Sequence, residues 1–324
     1  MLSRRKMMTA SAAGFATILG AGNSKANAFL TNLPLKAPSI QRPFRIGVST
    51  YSFWHFKGKP VPIMECIEQA AAMGFDGVEI LHVHMEKDAE AQGKKVNSAL
   101  FGEIKQKAFS LGLPLMGLST HQGFVSPDVE VRQRNIDHTA KCLQIAHELG
   151  IPTIRVNTGR WGTIKSFDDL MANKGREPIS EGRTLDEGFG WVIESFQKLI
   201  PTAEKLGVVM GLENHWGLGR EASGVLRVIN ALKSPWLKAT LDTGNFLEDA
   251  PAQMKALAPQ AVLVQAKTYF GGGEWYTLET DHTNVASILR EAGYKGWISL
   301  EMEGKEDPMT AIPKSLDLLR KSYA

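Results

Sequence analysis

The chain has 324 residues, 43% of them hydrophobic and 22% charged, with a formal net charge of +3, 8 histidines and 2 cysteines. This is the composition of a globular chain with one large core, and it excludes a disulfide-built scaffold. The positive balance comes from the N terminus: residues 1–28 carry Arg4, Arg5, Lys6 and Lys25 and no acid, so the remainder has 37 − 4 = 33 Lys+Arg against 34 Asp+Glu, a charge of −1. With no basic run beyond that point, neither a nucleic acid nor an acidic membrane is expected as partner.

The chain opens on Ser3-Arg4-Arg5-Lys6, followed by a weakly apolar stretch from Met7 to Gly22 and by Ala26-Asn27-Ala28 as a small-x-small cleavage site. Together they read as a twin-arginine-type export signal over 1–28, which implies a periplasmic or otherwise exported protein. The apolar stretch is short and interrupted by Thr, Ser and Gly, so no stable membrane span is expected after signal removal. Residues 29–44 read as an N-terminal extension.

From Arg45 onwards short β-branched runs alternate with longer amphipathic segments. Strands are predicted at 45–52, 77–82, 114–120, 153–158, 207–214, 237–243, 261–268 and 296–303, with helices near 60–73, 97–111, 131–149, 186–206, 221–232, 250–258, 283–292 and 308–322. Gly74, Gly112, Gly150, Gly207 and Gly293 stand where helices close on a left-handed residue. Eight βα units in about 280 residues predict an α/β fold, a single-domain (β/α)8 TIM barrel over 45–324. The alternative, an open doubly wound sheet, wants a glycine-rich phosphate turn after its first strand, and Ser49-Thr50-Tyr51-Ser52-Phe53 offers none. The longest insertion, 159–185, follows strand four, at the end of a barrel where active-site covers occur. Cys66 and Cys142 each lie in a helical pattern and read as small apolar packing residues rather than as a disulfide or metal ligands.

Four strands end on polar residues: Glu213 in Gly211-Leu212-Glu213-Asn214-His215-Trp216, Asp242 in Thr240-Leu241-Asp242-Thr243, Gln265 in Val264-Gln265-Ala266-Lys267, and Glu301 in Ser299-Leu300-Glu301-Met302-Glu303. Apolar neighbours at Leu212, Leu241, Val264 and Leu300 face the helix layer, so alternation turns all four inward. Three carboxylates on neighbouring strands repel unless a cation lies between them. One divalent metal is therefore expected, Mn2+ or Mg2+ first for an oxygen-rich set, with Co2+ or Zn2+ as alternatives if a histidine joins. For any single residue of the four the competing explanation is a salt bridge across the barrel mouth, and Arg155 and Lys267 are placed to make one.

These residues resemble the xylose-isomerase-like TIM barrels of the sugar phosphate isomerase/epimerase family. The resemblance runs from Ile46-Gly47-Val48-Ser49 through Gly74-Phe75-Asp76-Gly77-Val78-Glu79 to Gly293-Tyr294-Lys295-Gly296-Trp297. It is most specific in Leu212-Glu213-Asn214-His215, Leu241-Asp242-Thr243-Gly244-Asn245 and Ser299-Leu300-Glu301. It implies that Glu213, Asp242, Gln265 and Glu301 hold the metal and that Glu213 and Glu301 also move protons. The chain departs from the ketose epimerases at Gln265, where they have histidine, and at Asn245, where some use a substrate-binding histidine.

The expected function is a divalent-metal-dependent sugar isomerase or epimerase that abstracts a proton next to a carbonyl and passes through an enediolate. Expulsion of a β-oxygen from the same enolate makes the alternative a lyase on 3-keto-glycosides or a related keto sugar. A sugar-binding protein without turnover is the reading from a different class, and a homo-oligomer is compatible with any of them. His215, His121, Lys267, Trp54, Trp216 and Asn245 are candidates for contact with a carbohydrate, with Trp161 and Trp275 on further strand-end loops. His82 stands at the end of strand two with no role separating it from a structural histidine. Glu79 is expected to pair with a cation, and Glu303 to lie beside the site. Gly271-Gly272-Gly273 reads as a flexible loop, because no cationic cluster accompanies it.

Overall fold

Apolar runs flanked by glycine or proline form eight parallel strands in the computed structural model, which describes residues 44–324. The proposed export signal and residues 29–43 of the extension lie outside the described residues. The strands are β1 (Arg45–Ser49), β2 (Gly77–Leu81), β3 (Leu115–Ser119), β4 (Thr153–Val156), β5 (Val209–Glu213), β6 (Leu237–Asp242), β7 (Ala261–Thr268) and β8 (Trp297–Met302). They pair in sequence order, and β8 closes onto β1 through Arg45↔Trp297 and Val48↔Leu300, giving a closed barrel. Closure satisfies the backbone groups that an open sheet leaves at its edges.

The helices pack outside, at α1 (Ile63–Met73), α2 (His82–Ala91), α3 (Ser98–Ser110), α4 (Val129–Leu149), α5 (Phe167–Ala172), α6 (Leu185–Leu206), α7 (Ala222–Leu232), α8 (Ala250–Leu257), α9 (His282–Glu291) and α10 (Pro308–Ser322). Local chemistry fixes several ends. Thr184 and Glu187 form a capping box at the start of α6, and Gly207, at φ 68°, ends it in the left-handed conformation. α1 follows Pro62, whose side chain cannot cap; its Ile63 N–H is instead accepted 2.9 Å away by Asp88, reaching across from α2.

α2 and α5 are additions to the predicted pattern. α2 begins directly after Leu81 with no loop, so His82 belongs to a helix and not to strand two. Its segment HVHMEKDAEA carries only a faint apolar stripe, Met85 and Ala89, which explains why it did not read as a helix. α5 lies inside the long insertion after β4.

Strand register sets the layers of the interior. Gln265 pairs with Ser299, and two residues further on Lys267 pairs with Glu301. Gln265 therefore lies one side-chain layer deeper than Lys267 and Glu301. Among the described residues, no helix is long and apolar enough to cross a membrane.

Candidate active site

The deepest polar layer is built from short side chains around Glu79, which is fully buried. Its carboxylate accepts from the hydroxyl of Ser119, from Ser299 Oγ at 2.5 Å and from Gln265 Nε2 at 2.9 Å. Burial pushes the Glu79 carboxyl up, against the two serine hydroxyls, which hold it down. The expectation that Glu79 pairs with a cation is corrected: its hydrogen-bond partners are neutral groups from β3, β7 and β8. Gln265 also donates to Glu301 Oε1 at 2.8 Å, tying this layer to the one above, while its own Oε1 has no hydrogen-bond partner.

Above this layer the strand ends divide into two groups. On one side the Glu213 carboxylate is met by Arg155 Nη1 at 2.7 Å, Asn157 Nδ2 at 2.7 Å and, more loosely, Asn245 Nδ2 at 3.3 Å. Burial alone would raise its pKa, but the Arg155 guanidinium outweighs it and holds the group at about 2, an ionised carboxylate. The neighbouring Asn214 clamps β5 to β6: its amide donates to Asp242 O at 2.9 Å and its carbonyl accepts from Asp242 N at 2.8 Å.

On the other side a single ammonium meets three carboxylates. Lys267 Nζ lies 2.9 Å from Glu303 Oε2, 3.5 Å from Glu301 Oε2 and 3.6 Å from Asp242 Oδ2. The path of its stem requires Gly244, where a Cβ would fall 2.4 Å from Lys267 Cδ. Burial raises Asp242 well above its ordinary value despite Lys267, and raises Glu301 to about 7. Glu303 is completed by the Tyr51 hydroxyl, which donates at 3.0 Å.

These groups floor a cavity of about 440 Å3 with aromatic walls. Glu213, Glu301, Glu303, Arg155 and Lys267 line it, as do His121, His215, Trp216 and Asn245. Burial pushes His215 down to about 4, so its imidazole is neutral. Asp242 and Gln265 lie beneath the lining, fully buried. Trp54 is not part of the lining: its indole donates to Gly58 O at 3.3 Å and its ring stacks on His84 at 4.9 Å. His55 and Phe56 both adopt positive φ, and the chain thereby presents Phe56 to the cavity in its place. Trp161 packs edge-on against Trp191 at 5.9 Å, away from the lining.

The 159–185 insertion roofs this cavity. Phe167 and Met171 of α5 line it, and Phe167 meets Trp275, from the loop after β7, edge to face at 4.6 Å. The Trp275 indole donates to Asp168 at 2.5 Å, joining the two loops across the opening. Sequence reasoning passed over Asn157, Ser119, Ser299, Tyr51, Phe56 and Phe167, which read as ordinary strand or loop residues.

Two buried oxygens of the floor lack a donor, Asp242 Oδ2 and Gln265 Oε1, and they belong to residues paired across β6 and β7. Oxygen donors of this kind suit a hard divalent cation. The formal charges agree: with all four carboxyls ionised, Glu213, Asp242, Glu301 and Glu303 against Arg155 and Lys267 leave −4 + 2 = −2, a surplus that burial of Asp242 and Glu301 opposes until a cation enters. The carboxylates are not themselves drawn to ligating spacing. Among the described residues, the His, Cys, Asp and Glu donor atoms that gather within 4.8 Å of one another are those of His82, His138 and Cys142.

A profile of the xylose isomerase-like TIM barrel matches residues 67–322. L-ribulose-5-phosphate 3-epimerase UlaE of Shigella flexneri serotype 5b is 24% identical over 289 residues, 82% of this chain and 93% of that protein. Among solved structures, 3-keto-D-glucoside 4-epimerase YcjR from E. coli superposes with a TM-score of 0.66 at 21% identity, over 86% of this chain and 99% of that one. D-psicose 3-epimerase from Clostridium cellulolyticum H10 gives a TM-score of 0.65 at 17% identity, with the same coverage, 86% and 99%. These three proteins are sugar epimerases by name, and the chain belongs to the xylose isomerase-like TIM barrel family.

Proposed function

We propose that this protein is a divalent-metal-dependent epimerase or isomerase of neutral sugars, working by proton transfer at the carbon next to a carbonyl. The observation that carries the reading is that Glu213 and Glu301, from strands three apart in the ring, line one cavity whose floor gathers more carboxylates than cations. Glu213, Asp242, Gln265 and Glu301 would hold the ion, Mn2+ by preference and Mg2+, Co2+ or Zn2+ otherwise; when bound it polarises a substrate carbonyl and acidifies the adjacent C–H. Glu301 and Glu213 remove and return the proton; delivery to the opposite face of the enediolate inverts the carbon. Lys267 and Arg155 fix the carboxylates, the roof of α5 and Trp275 limits the entry of water, and His215, His121 and Asn245 meet the sugar hydroxyls.

A neutral substrate follows from the cations. Among the described residues, Arg155 and Lys267 are the only cationic side chains lining the cavity apart from its histidines, and both are taken up by carboxylates. No free positive group is left for a phosphate, so the phosphorylated substrate named for UlaE does not carry over. The six aromatic rings of Tyr51, Phe56, Phe167, Trp216, Trp275 and Tyr276 suit a glycoside with an apolar aglycone, which favours, as a second reading, β-elimination from a 3-keto-glycoside by the same proton abstraction. We place the protein in the periplasm or another exported compartment, on the strength of Ser3-Arg4-Arg5-Lys6 and Ala26-Asn27-Ala28.

The test is solvent-deuterium incorporation, followed by NMR, into ketoses, inososes and 3-keto-glycosides with the Mn2+-loaded protein. Exchange next to a carbonyl is expected, with the product separating epimer from unsaturated sugar, and Glu301→Gln is expected to lower it at least 100-fold while the fold persists. Exchange that survives in Glu301→Gln removes that residue as the base. No exchange across the panel with metal bound leaves a sugar-binding protein.

A further inference from the structure

The geometry points to a second metal site outside the barrel, in which His82, His138 and Cys142 bind a zinc-class transition ion between α2 and α4. One ring nitrogen of each histidine and the Cys142 sulfur lie within 4.8 Å of one another. His82 is the first residue of α2, and its position there follows from the helix leaving β2 without a loop. His138 and Cys142 are one turn apart on α4, so their side chains share a face. Cys142 Sγ is 3.6 Å from His138 Nε2, and the two imidazoles meet edge to face at 5.3 Å. A nitrogen at ~2.0 Å and a sulfur at ~2.3 Å from a tetrahedral ion are themselves separated by about 3.6 Å. The spacing on α4 is therefore already that of two ligands on one ion.

The third ligand is oriented for the same task. Glu86, one turn along α2, stands 3.5 Å from His82 Nδ1, near enough to hold that nitrogen protonated and leave the other ring nitrogen for a metal. That other nitrogen, Nε2, is buried without a hydrogen-bond partner in a residue only 3% exposed. Burial keeps the ligands metal-ready or protonated: it lowers both histidines, His82 to about 4, and raises the Cys142 thiol to about 12. Binding therefore breaks the S–H bond, forms the metal–thiolate bond and releases one proton to solvent. His138 is only half buried, leaving a side open for entry and for a fourth ligand such as water. Cys142 packs in the core as expected, and the proposal adds a ligand role to that packing; Cys66, equally buried, faces Val61 O.

The test is a Co2+ titration of the full chain, read by the near-ultraviolet thiolate-to-Co2+ charge-transfer band. The barrel centre has no thiolate, so the band reports this site alone. A band that saturates at one thiolate-bound Co2+ per chain, is displaced by Zn2+, is absent in Cys142→Ser and is retained in Cys66→Ser is expected. His138→Gln, at the half-buried position, should keep the fold and weaken the apparent affinity at least 10-fold. Absence of the band, its survival in Cys142→Ser, or an unchanged affinity in His138→Gln overturns the proposal.

Discussion

The two sides of the barrel mouth solve opposite problems with the same residue types. On the Glu213 side one carboxylate is surrounded by a guanidinium and two amides, and its charge is fully answered. On the Lys267 side one ammonium is shared by Asp242, Glu301 and Glu303, and the protein answers the surplus by raising the first two carboxyls. A buried carboxylate surrounded by donors is held ionised and oriented; a set of carboxylates with too few donors calls for a further cation. The same strand-end position thus carries an ionised, oriented carboxylate on β5 and unmet charge on β6 and β8.

The largest expected effect separates the two sides by removing their cations. Arg155→Met strands a fully ionised Glu213 and should cost about 3–5 kcal/mol of folding stability. Lys267→Met leaves carboxyls that already favour a proton, so it should cost less at pH 6 than at pH 8, and Mn2+ should restore more of it than of the Arg155 loss. Urea melts of both variants, with Mn2+ and with chelator, measure this. Equal losses, or equal rescue by metal, would erase the distinction between the sides.

A smaller effect should follow from the metal alone. Mn2+ at one hundred times its Kd should stabilise the native protein by about 2.7 kcal/mol. Asp242→Asn should remove most of that gain, since it takes away the charge on the donor-free oxygen of the floor. Asn157→Ala, which leaves Glu213 its charge and its Arg155 partner, should keep most of the metal-dependent increment. A gain unaffected by Asp242→Asn would move the ion elsewhere in the molecule.

What the sequence made legible on these two sides follows from chemistry that a single strand can display. The alternation of β-branched runs with amphipathic segments announces the barrel, and a polar residue at the end of an apolar run announces Glu213, Asp242, Gln265 and Glu301. Arg155 and Lys267 were legible as counter-cations for the same reason. Ser119, Ser299 and Asn157 were not, because a small polar side chain in a strand carries no sign of what it meets across a barrel. Glu79 misled because its partners come from β3, β7 and β8 and are neutral. Trp54 misled because two positive-φ residues turn the chain after it, a backbone fact with no glycine to mark it. The His82–His138–Cys142 cluster is hidden in the sequence by α2, which begins at His82, inside the predicted strand two.

The smallest effect is one of sign. Glu213, held at about 2 against an ordinary 4.5, binds fewer protons folded than unfolded; its contribution is present above pH 4.5 and is lost as pH falls towards 2. Glu301, raised to about 7, binds more protons folded than unfolded between pH 4.5 and 7. In metal-free protein it therefore makes stability fall as pH rises through that window, by at most roughly 1.4 kcal/mol per pH unit at this one group. Glu301→Gln keeps an acceptor for Gln265 Nε2 but cannot ionise, so the difference in urea stability between it and the native chain should grow from pH 5 to pH 7 in the variant's favour. Saturating Mn2+ should abolish that slope, because an ion at the floor supplies the charge that the proton otherwise supplies. A difference that is flat with pH in chelator would mean that Lys267 alone already balances Glu301, and the two sides of the mouth would then be electrostatically alike.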